Sequence, residues 1–187
     1  MAVVTISRQL GSLGDEVAFA LQKRIDYQIV NREIINQAAL RARKPEVALA
    51  TIDELGLLGL QPDLKSRKAY HQAVGEIMKE LAARGEAIII GRAGQVILRD
   101  YPGVLHVKVI APTWIRAERV SLTQRIDIDK ALAQVNASDK ARRSYLQRYY
   151  GVTWNDPELY DLILNTARIN PDQAACLISQ ALEQCSI

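Results

Sequence analysis

The chain has 187 residues, with 24 Lys and Arg against 21 Asp and Glu and a formal net charge of +3. That length suits one domain with at most a small appended subdomain, and 49% hydrophobic residues permit a sizeable core. The mild positive balance allows an anionic ligand but does not mark a nucleic-acid binder, and no run of about 18 apolar residues could span a membrane.

"MAVVTISRQ" lacks the basic and then long apolar regions of a secretory signal, so a cytoplasmic location is expected. "AVVTIS" reads as a short buried strand, followed by a turn holding Gly11 and Gly14 and by a helix from Asp15. Asp15 and Glu16 fall in the first turn of that helix, where its dipole favours negative charge. "YQIV" reads as a strand, and Asn31 can cap a helix "REIINQAALRA". From Lys44 to Arg84 two helical segments are expected. Pro45 opens the first and Gly56 can close it; "PDLKSRKAYHQAVGEIMKELAARG" forms the second.

"EAIIIG" and "VLHVKVIAP" are further strands, the second followed by a helix from Pro112 or Thr113. Two helical pieces, "DKALAQV" and "SDKARRSYLQRYY", precede an irregular "GVTWNDPELY", a strand "DLILNT" and a last helix opened by Asn170–Pro171. Strands alternating with helices predict an α/β domain with a parallel sheet covered on both faces. Ligands of such sheets bind beyond the carboxyl ends of the strands. That places residues 7 to 15, Asn31, Gly91–Arg92 and the end of "HVKVIAP" on one edge.

The cysteines offer no framework. On one helix, Cys176 and Cys185 would lie roughly 13 Å apart at about 1.5 Å per residue, beyond the disulfide reach of about 7 Å. Two cysteines and the scattered His71 and His106 have no metal-ligand spacing.

Three features could carry chemistry. The loop from Ser7 to Gly14 can aim backbone N–H groups at an anion from a helix N-terminus, with Gly11 and Gly14 allowing close approach. It reads equally as an ordinary strand-to-helix turn. In G-x-x-x-x-G-K-[ST] a lysine would stand where this chain has Gly14 and Asp15; Arg8 could supply charge from another direction. Gly91–Arg92 follows a buried strand, where a planar guanidinium suits a phosphate. Arg116, Arg119 and Arg125, then Lys140, Arg142, Arg143 and Arg148, form a basic series. Arg116 and Arg119 share a helix face, and Asp139 can reach Arg142 and Arg143. A solvated, salt-bridged helix is the competing reading of that series.

Nearly the whole chain resembles the cytidylate kinase-like family, a branch of the nucleoside monophosphate kinases. The segments that carry the likeness are "TISRQLGSLGDEVA", "VNREII", "AIIIGRAGQVIL", "VKVIAPTWIRAERV" and "SDKARRSYLQRYYGVTWNDPELYDLILNT". Gly11 and Ser12 match the family's loop, but Gly14 stands at its lysine. Gly91 and Arg92 match its Gly-Arg-Asp, with Ala93 in place of the aspartate. Arg116 and Arg119 match its arginine-bearing helix, Asp139 with Arg142 its lid, and Asn165–Thr166 the end of its late strand.

The resemblance implies a three-layer P-loop NTPase-like α/β fold. The core would comprise residues 1–43 and 85–187, with a helical monophosphate-binding insert at about 44–84 and a helical lid at about 125–150. It implies ATP and Mg²⁺ as cofactors. ATP phosphates would sit over Gly11, Ser12, Leu13, Gly14 and Asp15, and a nucleotide or other small phosphorylated substrate near Asn31, Arg92, Arg116, Arg119 and Asp139. Arg8, Arg142 and Arg143 are the catalytic candidates. A nucleotide- or anion-binding regulatory module without catalysis is the alternative, favoured by the missing lysine and by Ala93. Nucleic-acid binding through the arginines with Tyr145, Tyr149 and Tyr150 is disfavoured, since these rings are better explained by packing. A homodimer is compatible with the sequence.

Overall fold

In the computed structural model, described for residues 2–31, 33 and 64–184, five strands form one parallel sheet. The strands are β1 (Val3–Arg8), β2 (Gln28–Val30), β3 (Ala87–Ile90), β4 (Val104–Ile110) and β5 (Leu162–Asn165), in the order β2-β3-β1-β4-β5. The helices are α1 (Gly14–Ile25), α2 (Leu64–Arg84), α3 (Gly94–Ile97), α4 (Thr113–Gln124), α5 (Ile128–Tyr150) and α6 (Pro171–Gln184). A 3₁₀ turn, Pro157–Leu159, precedes β5.

The near-continuous apolar runs in β1, β3 and β4 follow from burial on both faces. On one face Val4, Ile6, Ile88, Ile90, Leu105, Val107 and Val109 pack against Val17 and Leu21 of α1 and Ile178 of α6. On the other, Val3, Ile89 and Val104 meet Tyr70, Val74 and Met78 of α2 and Leu98 beyond α3. Side chains alternate along a strand, so Thr5 and Ser7 of β1 share that second face with His106 and Lys108 of β4, their register partners. Four buried polar groups thus follow Val3 and Val104 towards the carboxyl end of the sheet.

The expected strands are all present. Asn170 and Gln173 exchange side-chain and backbone hydrogen bonds at 2.9 and 3.0 Å, a capping box that opens α6. One expectation is corrected: the two helical pieces at 129–135 and 138–150 are a single 23-residue helix, α5. Asn136 and Ser138 look like punctuation, yet neither breaks the backbone ladder as proline or glycine would. Ala131, Val135 and Asp139 form a buried stripe across the expected break, and Leu146 is buried further along the helix. The segment opened by Pro45, the helix after Glu33 and Cys185 lie outside the described residues. Cys176 is a half-buried free thiol. Among the described residues no helix is long and apolar enough to cross a membrane.

Candidate functional site

The turn between β1 and α1 is closed by the Gln9 carbonyl, which accepts the Ser12 N–H at 3.2 Å and the Ser12 hydroxyl at 2.9 Å. Gly11 has φ +76°, and a β-carbon there would lie 2.6 Å from the Arg116 carbonyl oxygen, so only glycine fits. Leu13, with φ 60°, takes the left-handed conformation that admits α1. The turn therefore ends on a helix N-terminus, where unpaired N–H groups and the dipole favour an anion.

Arg8 threads through this site. Its Nε donates to Asp15 Oδ1 at 3.1 Å, at the mouth of the turn. A β-carbon on Gly14 would lie 2.4 Å from Arg8 Cβ, and one on Gly91 would lie 2.7 Å from Arg8 Nη1. Glycine makes room at the root of the arginine and at its tip. The guanidinium thereby crosses from the turn to the end of β3.

At that end Gly91, Arg92 and Ala93 have φ of 77°, 56° and 55°, and the Gly94 N–H closes the turn on the Gly91 carbonyl at 3.0 Å. Two consecutive non-glycine residues with positive φ store backbone strain of order 1–3 kcal/mol each. Arg92 is buried; it donates to the Tyr70 hydroxyl, and its guanidinium carbon stands 5.6 Å from that ring's centroid.

Arg8 and Arg92 meet Arg142 of α5 around a cavity of about 140 Å³, whose walls also include Ser7, Tyr145 and Trp154. No carboxylate stands among its described lining residues. An adjoining groove of about 370 Å³ runs over the turn, lined by Gly11, Leu13, Gly14, Asp15, Glu16 and Arg119. Arg8 and Arg142 line both spaces and so form their shared wall. Burial and then the nearby Arg8 guanidinium pull Arg142 down to about 10, as expected where cations converge without bound anions.

Arg116 and Arg119 do share a helix face, and both grip the turn from beneath. Arg116 donates to the Ala111 and Leu10 carbonyls and makes a two-pronged ion pair with Asp139 at 3.1 and 2.8 Å. Arg119 donates to the Gly11 carbonyl and to both oxygens of Thr166, whose hydroxyl donates to the Ser12 carbonyl. Asp139 was expected to reach for Arg142 and Arg143. Its carboxylate instead turns across to α4, and Arg142 donates to the Ser138 hydroxyl. Both Arg116 and Asp139 are buried, so their charges serve to tie α5 to the turn.

The structure separates Arg142 from Arg143, as neighbouring positions on a helix require. Arg143 is exposed and lines an outer groove with Arg148 and Thr153. Asn31 caps the Glu33 N–H at 3.0 Å and is in the walls of neither the cavity nor the groove over the turn. Tyr145, Tyr149 and Tyr150 pack around His71 of α2, with centroids 4.5–6.0 Å from its ring. Ser7 was expected on this edge as the start of the loop, through its backbone; that its side chain walls the cavity was not. Trp154 was not anticipated, and it lies in an aperiodic stretch that carries no such signal.

The turn, with its glycine-only approach and flanking arginines, fits a polyphosphate. Among the described residues no cluster of three or more His, Cys, Asp or Glu could cage a metal ion. Mg²⁺ fits only as it is usually held, by phosphate oxygens with one or two carboxylates, here Asp15 and Glu16 on the groove wall.

The fold is the three-layer α/β architecture of the P-loop type. A solved, uncharacterized protein from Eubacterium ventriosum superposes with a TM-score of 0.77 at 20% identity, over 98% of this chain and 99% of that one. Shikimate kinase from Bacteroides thetaiotaomicron superposes at 0.58 and 11% identity, over 97% and 98%. Residues 3–168 match the model of the cytidylate kinase-like family, and the chain belongs to that family. Cytidylate kinase of Methanopyrus kandleri is 30% identical over 56% of this chain and 58% of its own length. The chain thus matches just over half the length of that relative. Cytidylate kinase of Methanocella arvoryzae is 24% identical over 97% of both.

Proposed function

We propose that the protein is a phosphotransferase that binds ATP with Mg²⁺ over residues 8 to 15 and passes the γ-phosphoryl group to a small phosphorylated acceptor of the nucleoside monophosphate kind. The observation that carries this reading is the shared wall: Arg8 and Arg142 line both the groove over the turn and the cavity beside it. A phosphoryl group moving between the two spaces would pass these guanidinium groups. Phosphoryl transfer asks mainly for positioning and charge stabilisation.

In this reading the turn's N–H groups and Arg119 hold the donor, and Arg92 holds the acceptor phosphate. Arg8 replaces the missing lysine, with Arg142 opposite it on α5. Mg²⁺, when bound, supplies charge neutralisation at the donor phosphates. Among the described residues the cavity wall holds no carboxylate to read a sugar or base, and Ala93 stands where the family has aspartate. This supports recognition of the acceptor chiefly through its phosphate.

The test is incubation of the purified protein with ATP, Mg²⁺ and each nucleoside monophosphate, following ADP and the diphosphate. Turnover with at least one acceptor is expected; none with any acceptor overturns the enzymatic reading. A second reading, a nucleotide- or anion-binding module without catalysis, is favoured by the Arg8–Asp15 pair. That carboxylate already partners the cation offered in place of the lysine. Tight nucleotide binding without turnover would select it.

A further inference from the structure

Lys108 is buried on β4, and it is not among the residues that line the cavity. Its Nζ donates to the Trp154 carbonyl at 2.7 Å and to Asn155 Oδ1 at 3.0 Å, and stands 4.8 Å from the ring centroids of both Trp154 and Tyr160. The Trp154 indole N–H donates to Ser7 Oγ at 3.0 Å, on the cavity wall, and Arg142 lies 5.9 Å from the indole centroid. Tyr160 completes the network: its hydroxyl donates to the Trp154 carbonyl at 2.9 Å and receives Gln95 Nε2 at 3.4 Å. A buried amine is costly unless it is bonded. This one is bonded to the backbone of the residue that walls the cavity.

We propose that Lys108 is a positioning residue for the arginine-lined cavity. Its amine anchors the chain at Trp154–Asn155, so that the indole stays bonded to Ser7 and backs the Arg142 guanidinium. The pairing of β1 with β4 places Lys108 beside Ser7 in register. The inference rests on the acceptor-site reading above for the use of the cavity, but the contact of Lys108 with Trp154 is independent of it. Around the amine stand Asp139 and Arg142 of α5, Tyr160 beyond Trp154, and His106 two residues along β4. Burial, opposed by Asp139, pulls Lys108 down to about 8.

Two arms test this. In the Trp114→Phe chain Trp154 is the only tryptophan, and its emission is followed from pH 6.5 to 9, where Arg142, pulled down to about 10, remains mostly protonated. A transition near pH 8 that vanishes on adding Lys108→Met is expected; a flat emission overturns the contact. In the second arm, binding of inorganic phosphate is measured by calorimetry at pH 7. Lys108→Met should weaken it on the order of tenfold, since small displacements of a binding group cost that much or more. Unchanged affinity in folded Lys108→Met overturns the positioning role. If Lys108→Met does not fold, Asn155→Ala, which removes one of the two acceptors, must weaken phosphate binding in the same direction or the role fails. Absence of phosphate binding by the unaltered chain would sink the acceptor-site reading and the positioning role with it, while the emission arm would still decide the contact. Binding without turnover would sink only catalysis.

Discussion

The side chain of Arg8 occupies the space a side chain on Gly14 would need, with 2.4 Å left between the two β-carbons. The position where the family carries its lysine is therefore closed to one. In the proposed function the cation enters from Arg8, six residues earlier, with guanidinium geometry in place of an ammonium point charge. Gly14→Lys should accordingly destabilise the protein by about 1–3 kcal/mol, the range for overpacking, and weaken ATP binding. Adding Arg8→Gly to Gly14→Lys removes the β-carbon that closes the space and should recover both. Denaturant midpoints and calorimetry of the single and double variants measure this; a double variant no better than Gly14→Lys refutes the exchange.

In the proposed function Asp15 competes with an incoming phosphate for Arg8. Asp15→Asn removes that competitor and a negative charge from the groove wall, so ATP without Mg²⁺ should bind several-fold more tightly. Stability should change by less than about 1 kcal/mol, because the pair is part-exposed. Titration of ATP at low and moderate salt checks both, and weaker binding by Asp15→Asn contradicts the competition.

Arg116 and Asp139 are a different kind of pair. Both are buried, and removing one partner leaves an uncompensated charge, at a cost of about 3–5 kcal/mol. Asp139→Ala should lower urea stability by that order and loosen the turn that Arg116 grips through the Leu10 carbonyl. A loss below about 1 kcal/mol would show that the pair does not tie α5 to the loop.

Arg142 should trade stability against function. Burial and the Arg8 charge disfavour its protonated form, which bound phosphate would relieve. Arg142→Met should leave thermal stability unchanged or raised while reducing turnover a hundredfold or more, as removal of transition-state charge stabilisation does. Melting curves and initial rates on the same preparations decide it. A variant that melts lower yet keeps its rate reverses the assignment.

For Lys108 the sign of the pH dependence is fixed by its depressed value. The unfolded chain holds this proton up to about 10.5, the folded protein only to about 8. Between those values the unfolded state binds more protons, so raising pH favours folding through this group. Stability of the wild-type chain relative to Lys108→Met should therefore rise from pH 8 towards 10.5 and be flat below 8. Urea unfolding of both proteins across pH 7 to 10.5 measures the difference, and a falling difference refutes it.

Much of the architecture was legible from local pattern. Apolar runs bounded by glycine marked β1, β3 and β4, because strands buried on both faces have no polar alternation to confuse them. The sheet edge holding residues 7 to 15 and Gly91–Arg92 followed from the rule for parallel sheets. The break expected near Asn136 was misplaced because polar helix residues resemble boundaries until their buried neighbours are known. At the site, Arg8, Arg92 and Arg142 were identifiable as cations near the right edge. Arg143 was indistinguishable from Arg142, since adjacent helix positions have the same composition but face different ways.

The amino-acid order alone determined the alternation of strands and helices, the glycine-bearing turn after β1 and the membership of the family, because these depend on short-range propensity and spacing. Only the tertiary structure decided which charges meet: Arg116 with Asp139, Arg8 across Gly14 to Gly91, and Lys108 beside Ser7 and Trp154. These pairings join residues 6 to 101 positions apart. They depend on strand order and helix rotation, which bring side chains together through packing and leave no periodic trace along the chain.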